Sequence, residues 1–327
     1  MENCGIIDLL AKNILHRSII ETVISVREGE VIYLLLAILS SSSIAMVFKV
    51  TEGKSYNRLA VTTYNYLSAF LIALVMIVIE RPALGPGGGS LNEVIVKGSE
   101  VFSLTSSAVW GLSLGLVAGL FFFLSFLFYQ KSVKESGASL SGAFGKLGIL
   151  IPMLLSLLVW KEYPEAIQWV GISLAIFSII LVNNPFGSTR RNFKPALIML
   201  FITGGLAEFM NKLFQNYTVG GYKSIFLFSV FASAFIISTI FLKKSGKPAM
   251  KREAFVGLIV GLPNLFSSFF LIMALEEIKG SVVFPIYSAG SVVMISLGSL
   301  LIFGEKLKKL EMISLGMVLV SLIIINI

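Results

Sequence analysis

Ten runs of about twenty consecutive, mostly apolar residues divide this chain, and they dictate the solvent it folds in. They cover residues 31–50, 59–79, 107–129, 137–160, 165–183, 195–214, 222–242, 254–275, 280–303 and 310–327. A helix needs about 20 such residues to cross a hydrocarbon core roughly 30 Å thick. Lipid offers the backbone no hydrogen bonds, so segments of this kind fold as helices that satisfy their own amides. Composition agrees, because only 13% of the 327 residues are charged and 56% are hydrophobic, whereas soluble domains carry about 25% charge. The expected fold class is an all-α, multi-pass protein with ten transmembrane helices, surrounded by the lipid of the cell (cytoplasmic) membrane.

Residues 1–30 read differently. Between 8 and 26, Leu9, Leu10, Ile14, Leu15, Ile19 and Ile20 alternate with Asp8, Lys12, Arg17 and Glu21. That pattern suits an amphipathic helix lying in the interface, not a span or a signal peptide. The longest connector, 81–106, contains Pro86-Gly87-Gly88-Gly89, a flexible composition. Cys4 and His16 are the sole cysteine and histidine. No disulfide can form within the chain and no zinc ligand cluster exists, so neither metal nor cofactor is expected. The net charge of +8 is scattered through connectors, as in cytoplasmic membrane loops, and nucleic acid is not an expected partner.

The chain repeats itself. Laid over 280–326, residues 137–183 bring Gly137 onto Gly280, Glu162 onto Glu305 and Asn183 onto Asn326, an offset of 143. One helix earlier the offset is 142, with Gly115 and Gly119 on Gly257 and Gly261, and Ser125 on Ser267. More weakly, Ser40-Ser41-Ser42 and Lys49 resemble Thr203-Gly204-Gly205 and Lys212. Helices one to five therefore recur as six to ten, giving two units, 31–183 and 195–327. Five is odd, so equivalent helices cross in opposite directions. That is an inverted-topology repeat, an architecture of transporters, in which two like halves exchange inward- and outward-open states of similar energy.

The ends of helices four and nine carry a family resemblance. Ile151-Pro152 followed by Trp160-Lys161-Glu162, and Phe303-Gly304-Glu305-Lys306-Leu307, each precede a last helix opening near Gly171 or Ser314. The second half adds Gly261-Leu262-Pro263-Asn264 and Val283-Phe284-Pro285-Ile286. Over residues 31–327 the chain resembles the drug/metabolite transporter superfamily in its EamA-type, ten-helix branch. Ser314 stands where the family pattern has Gly, and Trp160-Lys161 replaces a Gly-adjacent sequence. The resemblance implies two EamA-like halves and secondary active transport, often efflux, of a small metabolite. It also implies a pocket between the halves with helices five and ten outside it.

A charge in a bilayer core is costly and marks a functional site by default. Lys146 sits mid-helix, and its repeat partner is Ala289. The expectation is that Lys146 faces a central cavity and meets an anionic group of the substrate or a side chain; the alternative is a structural ion pair. Its Gly-Lys is followed by Leu147 and is no phosphate loop. Glu208 reads either as a protonatable coupling site or as a local pair with Lys212 four residues on, and the local pair is favoured. Pro263 and Pro285 are expected as hinges or helix breaks, since proline removes a backbone donor. Asn264, Tyr64, Asn65 and Tyr287 are candidate substrate contacts, and Ser40–Ser43 are weaker ones. Gly111, Gly115 and Gly119 form a close-packing stripe. Glu162 and Glu305 are expected to be structural, for example as caps of the following helices.

Lys and Arg number nine on the N-terminal side of the membrane and sixteen on the other. The positive-inside rule places both termini outside, opposite to many members of the resembled family. The expected function is a secondary transporter working by alternating access on a small molecule, with a homodimer allowed. The alternatives are an intramembrane enzyme, for which no paired catalytic carboxylates, Ser/His pair or zinc motif appears, and a channel or scaffold.

Overall fold

The structure is a computed structural model that describes residues 31–48, 56–83, 102–136, 138–183, 195–219, 221–303 and 309–325, with the single positions 85 and 94. The amphipathic segment 1–30, most of the connector 81–106, and Glu305 lie outside the described residues. Every regular element among the described residues is helical: α1 (Val31–Phe48), α2 (Arg58–Glu80), α3 (Leu104–Ser136), α4 (Ala138–Leu147), α5 (Leu150–Val159), α6 (Ala166–Asn183), α7 (Pro195–Tyr217), α8 (Lys223–Lys244), α9 (Lys251–Glu277), α10 (Gly280–Phe303) and α11 (Lys309–Ile325). Seven of them, α1, α2, α3, α7, α8, α9 and α10, are long and apolar enough to cross a bilayer. Their outer faces carry large apolar side chains in the open, such as Ile79 at 74% and Leu301 at 79% exposure. Water would penalise such a surface, and acyl chains do not.

The expected fourth helix is not continuous. It ends at Leu147, turns through Gly148 and Ile149, and restarts at Leu150. Pro152 explains the break. It has no N–H to offer the Gly148 carbonyl four residues back, and its ring crowds that carbonyl. Ile151 N–H takes the Gly148 carbonyl instead, at 3.0 Å. Pro263 and Pro285, expected as hinges or breaks, interrupt neither α9 nor α10. Packed neighbours hold a membrane helix together across a missing bond, and the actual discontinuity falls at Pro152.

Two helix crossings in the bundle are alike. Gly115 and Gly119 let α3 lie on α8, where added Cβ atoms would stand 2.5 Å from Ser229 Cβ and 2.7 Å from Ser233 Cβ. There Ser229 and Ser233 hydroxyls donate to the Leu112 and Leu116 carbonyls at 2.6 and 2.9 Å. Gly257 and Gly261 let α9 lie on α2, with Tyr64 Cβ at 2.6 Å and the Asn65 carbonyl at 2.6 Å from the same kind of added atom. There Ser68 donates to the Leu258 carbonyl at 2.9 Å. Small residues permit the approach, and a serine closes it with an interhelical bond. Aromatic packing fills the space around these crossings, including Phe214 stacked on Phe226 at 4.4 Å between centroids. A second apolar cluster joins α1, α5, α9 and α10 through Leu34, Ile38, Met153, Leu271, Val283 and Phe284.

Candidate functional site

A cavity of about 180 Å³ lies between α1, α3, α4, α7 and α10, lined by Ser41, Phe122, Ser125, Gly145, Lys146, Ile149, Gly204, Ala207, Glu208, Tyr287 and Ser288. Its position follows from the break in the fourth helix. Gly148 faces Gly205 so closely that an added Cβ would stand 2.9 Å from the Phe201 carbonyl and 3.2 Å from Gly205 N. This contact draws the α4–α5 junction onto α7. Gly145, one turn before Gly148, and Gly204, next to Gly205, have no side chain, and the space they leave is part of the cavity.

Lys146 lines this space from the last turn of α4, and Glu208 lines it from α7. Among the described residues no carboxylate lies within ion-pair distance of the Lys146 ammonium. Ser288 donates to the Lys146 carbonyl at 3.2 Å, tying α10 to the end of α4. Glu208 accepts from Asn211 Nδ2 at 3.1 Å, and the other side of that amide, Asn211 Oδ1, is buried without a partner among the described residues. The Tyr287 hydroxyl shares a hydrogen bond of 2.8 Å with Ser267, and Ser41 is a second partner.

Other sequence candidates fall elsewhere. Asn264 donates to Asn65 at 3.0 Å, joining α9 to α2, and neither residue lines the cavity. Tyr64 backs Gly257 in the same crossing. The favoured pairing of Glu208 with Lys212 is not made. Lys212, 3% exposed, bonds Glu162 at 2.7 Å, reaches Gln215 at 3.1 Å and stands 5.7 Å above the Trp160 ring. Four-residue spacing offered Lys212 one carboxylate, and the end of α5 supplies a nearer one. Glu162 also does not cap the helix that follows it. Its second oxygen takes the Gly280 N–H at 2.7 Å and so caps the start of α10. Ser281 donates to the Glu162 carbonyl at 2.6 Å, and Lys279 to the Tyr163 carbonyl at 3.0 Å. Together these bonds form a latch between the end of α5 and the second half of the chain, one turn of α7 beyond Glu208.

Sequence reasoning missed Phe122, Ser125, Gly145, Ile149, Gly204, Ala207 and Ser288 as lining residues. The Gly204-Gly205 pair one turn before a charged Glu208 was the available signal, since two glycines beside an intramembrane charge open room for a ligand.

The EamA-like transporter family matches residues 29–184, and the Small Multidrug Resistance protein family matches residues 224–318. No curated protein matches the chain. Among 28 matching solved chains, one protein known by crystal structure aligns over 91% of this chain and 96% of its own, with a TM-score of 0.64 and 12% identity. At that identity the likeness concerns the fold alone. With transporter-family matches over residues 29–184 and 224–318 and a bundle of apolar helices around a charged cavity, the chain is a membrane transporter of the drug/metabolite transporter type.

Proposed function

We propose that this protein is a secondary transporter of the cytoplasmic membrane that moves a small solute by alternating access through the cavity holding Lys146 and Glu208. The observation that carries the reading is the cavity itself. It is bounded by helices from both halves of the chain and contains two intramembrane charges that are not paired with one another. Charges are kept at such depth when they serve a substrate or ion path. In this reading α4 and α5 form one interrupted span, which with α6 and α11 makes ten, arranged as inverted repeats 31–183 and 195–327. The two glycine–serine crossings support it, since Leu116 and Leu258 accept equivalent bonds at the 142-residue offset of the sequence repeat. So does the cavity lining, where Ser41 with Gly204, and Gly145 with Ser288, are repeat partners. Neither α6 nor α11 contributes to the described lining. The latch at Glu162, Lys212 and Gly280 holds the halves together beside the cavity, so it must open for solute to pass on that side.

The test is counterflow of a solute panel in proteoliposomes holding the full chain. Saturable exchange of at least one solute is expected, and Lys146→Met and Glu208→Gln should abolish it while the protein still inserts. Lys146→Arg should also impair it, because a planar fork does not replace a compact ammonium. Exchange that ignores both residues would refute the assignment of this cavity.

A further inference from the structure

We infer that the hairpin between α8 and α9 binds an anionic phospholipid, with the phosphate among Lys243, Lys244, Lys247 and Lys251 and the acyl chains along α9. Charge is the first observation. Residues 243–252 hold five lysines and arginines and no acidic residue. Every residue of that stretch is exposed. The next acidic residue along the chain, Glu253, is turned inward at 1% exposure. Its carboxylate takes the Asn57 and Met250 N–H groups at 3.3 and 3.0 Å and Arg252 Nε at 3.3 Å. It therefore offsets Arg252 and leaves the lysines. Among the described residues no carboxylate pairs with Lys243, Lys244, Lys247 or Lys251, whereas Lys223, at the other end of α8, has Glu276 at 2.6 Å. Cations this close repel one another, and a shared anion relieves the repulsion.

The hairpin is also held in shape. Asn57 accepts from the Ala60 N–H at 3.3 Å to cap α2, and its amide donates to the Pro248 carbonyl at 3.5 Å. The Ser245 hydroxyl donates to the Leu242 carbonyl at 2.7 Å and accepts from the Lys247 N–H at 3.3 Å. Gly246 makes the turn with a positive φ of 64°. The Arg252 guanidinium stands 5.0 Å from the Tyr56 ring. The backbone that carries the lysines is thus ordered before an anion arrives, which lowers the cost of binding one. What lies beneath the cations is apolar. Phe255, Leu258, Ile259 and Leu262 are exposed, Phe255 at 66%. Their spacing puts them on one face of α9, and Phe255 follows Lys251 by four residues and Arg252 by three. Within one turn that face passes from cations to apolar side chains, the order in which a phospholipid presents its phosphate and its chains. A soluble anion would use the lysines alone, and a lipid uses both parts.

Native mass spectrometry tests this on the purified full chain, released from micelles that hold equal amounts of dioleoylphosphatidylglycerol and dioleoylphosphatidylcholine. The ratio of the two bound lipids is the readout. The anionic lipid should be favoured about tenfold or more, since each cation at an anionic surface contributes about fivefold. Lys247→Gln combined with Lys251→Gln should lower that ratio about tenfold. The control is Lys131→Gln combined with Lys134→Gln. These exposed lysines sit at the end of α3, which runs parallel to α8, so they lie at the same end of the bundle. The control removes the same charge and should leave the ratio within about twofold. Each ratio comes from one spectrum and does not depend on yield. Equal losses in the two double variants would show a diffuse surface charge and overturn the site, as would an unaltered chain that binds both lipids alike. Glycerol 1-phosphate, in about tenfold molar excess over the lipid, should leave the bound lipid in place. If it displaces the lipid, the hairpin is a site for soluble anions and the lipid assignment falls.

Discussion

Replacing Glu162 by Gln removes the charge that neutralises Lys212 while keeping an oxygen for the Gly280 N–H. Lys212 is 3% exposed and Glu162 is 17% exposed. In the variant the ammonium retains Gln215 at 3.1 Å and the Trp160 ring at 5.7 Å, neither of which carries charge. Removing one member of a buried ion pair costs about 3–5 kcal/mol, and some water reaches Glu162, so the lower end, about 3 kcal/mol, is expected. Lys212→Met should cost less, about 1–2 kcal/mol, because the carboxylate left behind still caps the start of α10 and helix N-termini favour anions. The double variant leaves no unpaired charge and should also cost about 1–2 kcal/mol. The singles then exceed the double by about 3 kcal/mol, the upper end of the coupling between directly bonded residues. Reversible unfolding in mixed detergent micelles measures all four proteins. Additivity to within about 0.5 kcal/mol would show that the two residues do not act on each other, and the latch would not be a source of cohesion.

Gly119→Leu should prevent accumulation of folded protein, since its first carbon already meets Ser233 Cβ at 2.7 Å, and overpacking costs about 1–3 kcal/mol or more. Gly316→Ala, with nothing within 4 Å, should be neutral or slightly stabilising; equal yields of the two variants in size-exclusion profiles would contradict the packing argument. Asn264→Leu should destabilise by about 1 kcal/mol by stranding Asn65. Adding Asn65→Leu should recover part of that loss in the same unfolding assay, and failure to recover would mean that the pair carries no energy. A cysteine at Ser245, beside Lys243, Lys244, Lys247, Lys251 and Arg252, should label only with membrane-permeant reagents if this basic loop is cytoplasmic. Ready labelling of intact cells by an impermeant reagent would reverse the orientation.

Much of this protein was legible without coordinates, because hydrophobic length and local periodicity are properties of contiguous residues. The apolar runs located the seven helices long enough to cross a bilayer, the glycine spacing of α3 marked one close crossing, and mid-run placement of Lys146 put it at the cavity, whereas the crossing at Gly257 and Gly261 of α9 was visible only as a repeat of α3. The family resemblance followed from the repeat and from the residues that end helices four and nine. Partner choice was not legible. Four-residue spacing put Glu208 and Lys212 on one face of α7, yet Lys212 bonds Glu162, because a flexible ammonium takes the carboxylate that packing brings within reach. Glu162 likewise caps α10 and not α6, and Asn264 meets Asn65 and not the cavity. Proline chemistry says that a helix is weakened at three sites, and only the neighbours decide which one gives way. The close seat of Gly148 against Gly205 made it Pro152. Sequence determined which segments are apolar enough to enter a membrane and which charges lie in them; the tertiary structure decided which of those charges meet, since distances between remote segments exist only after the helices have packed.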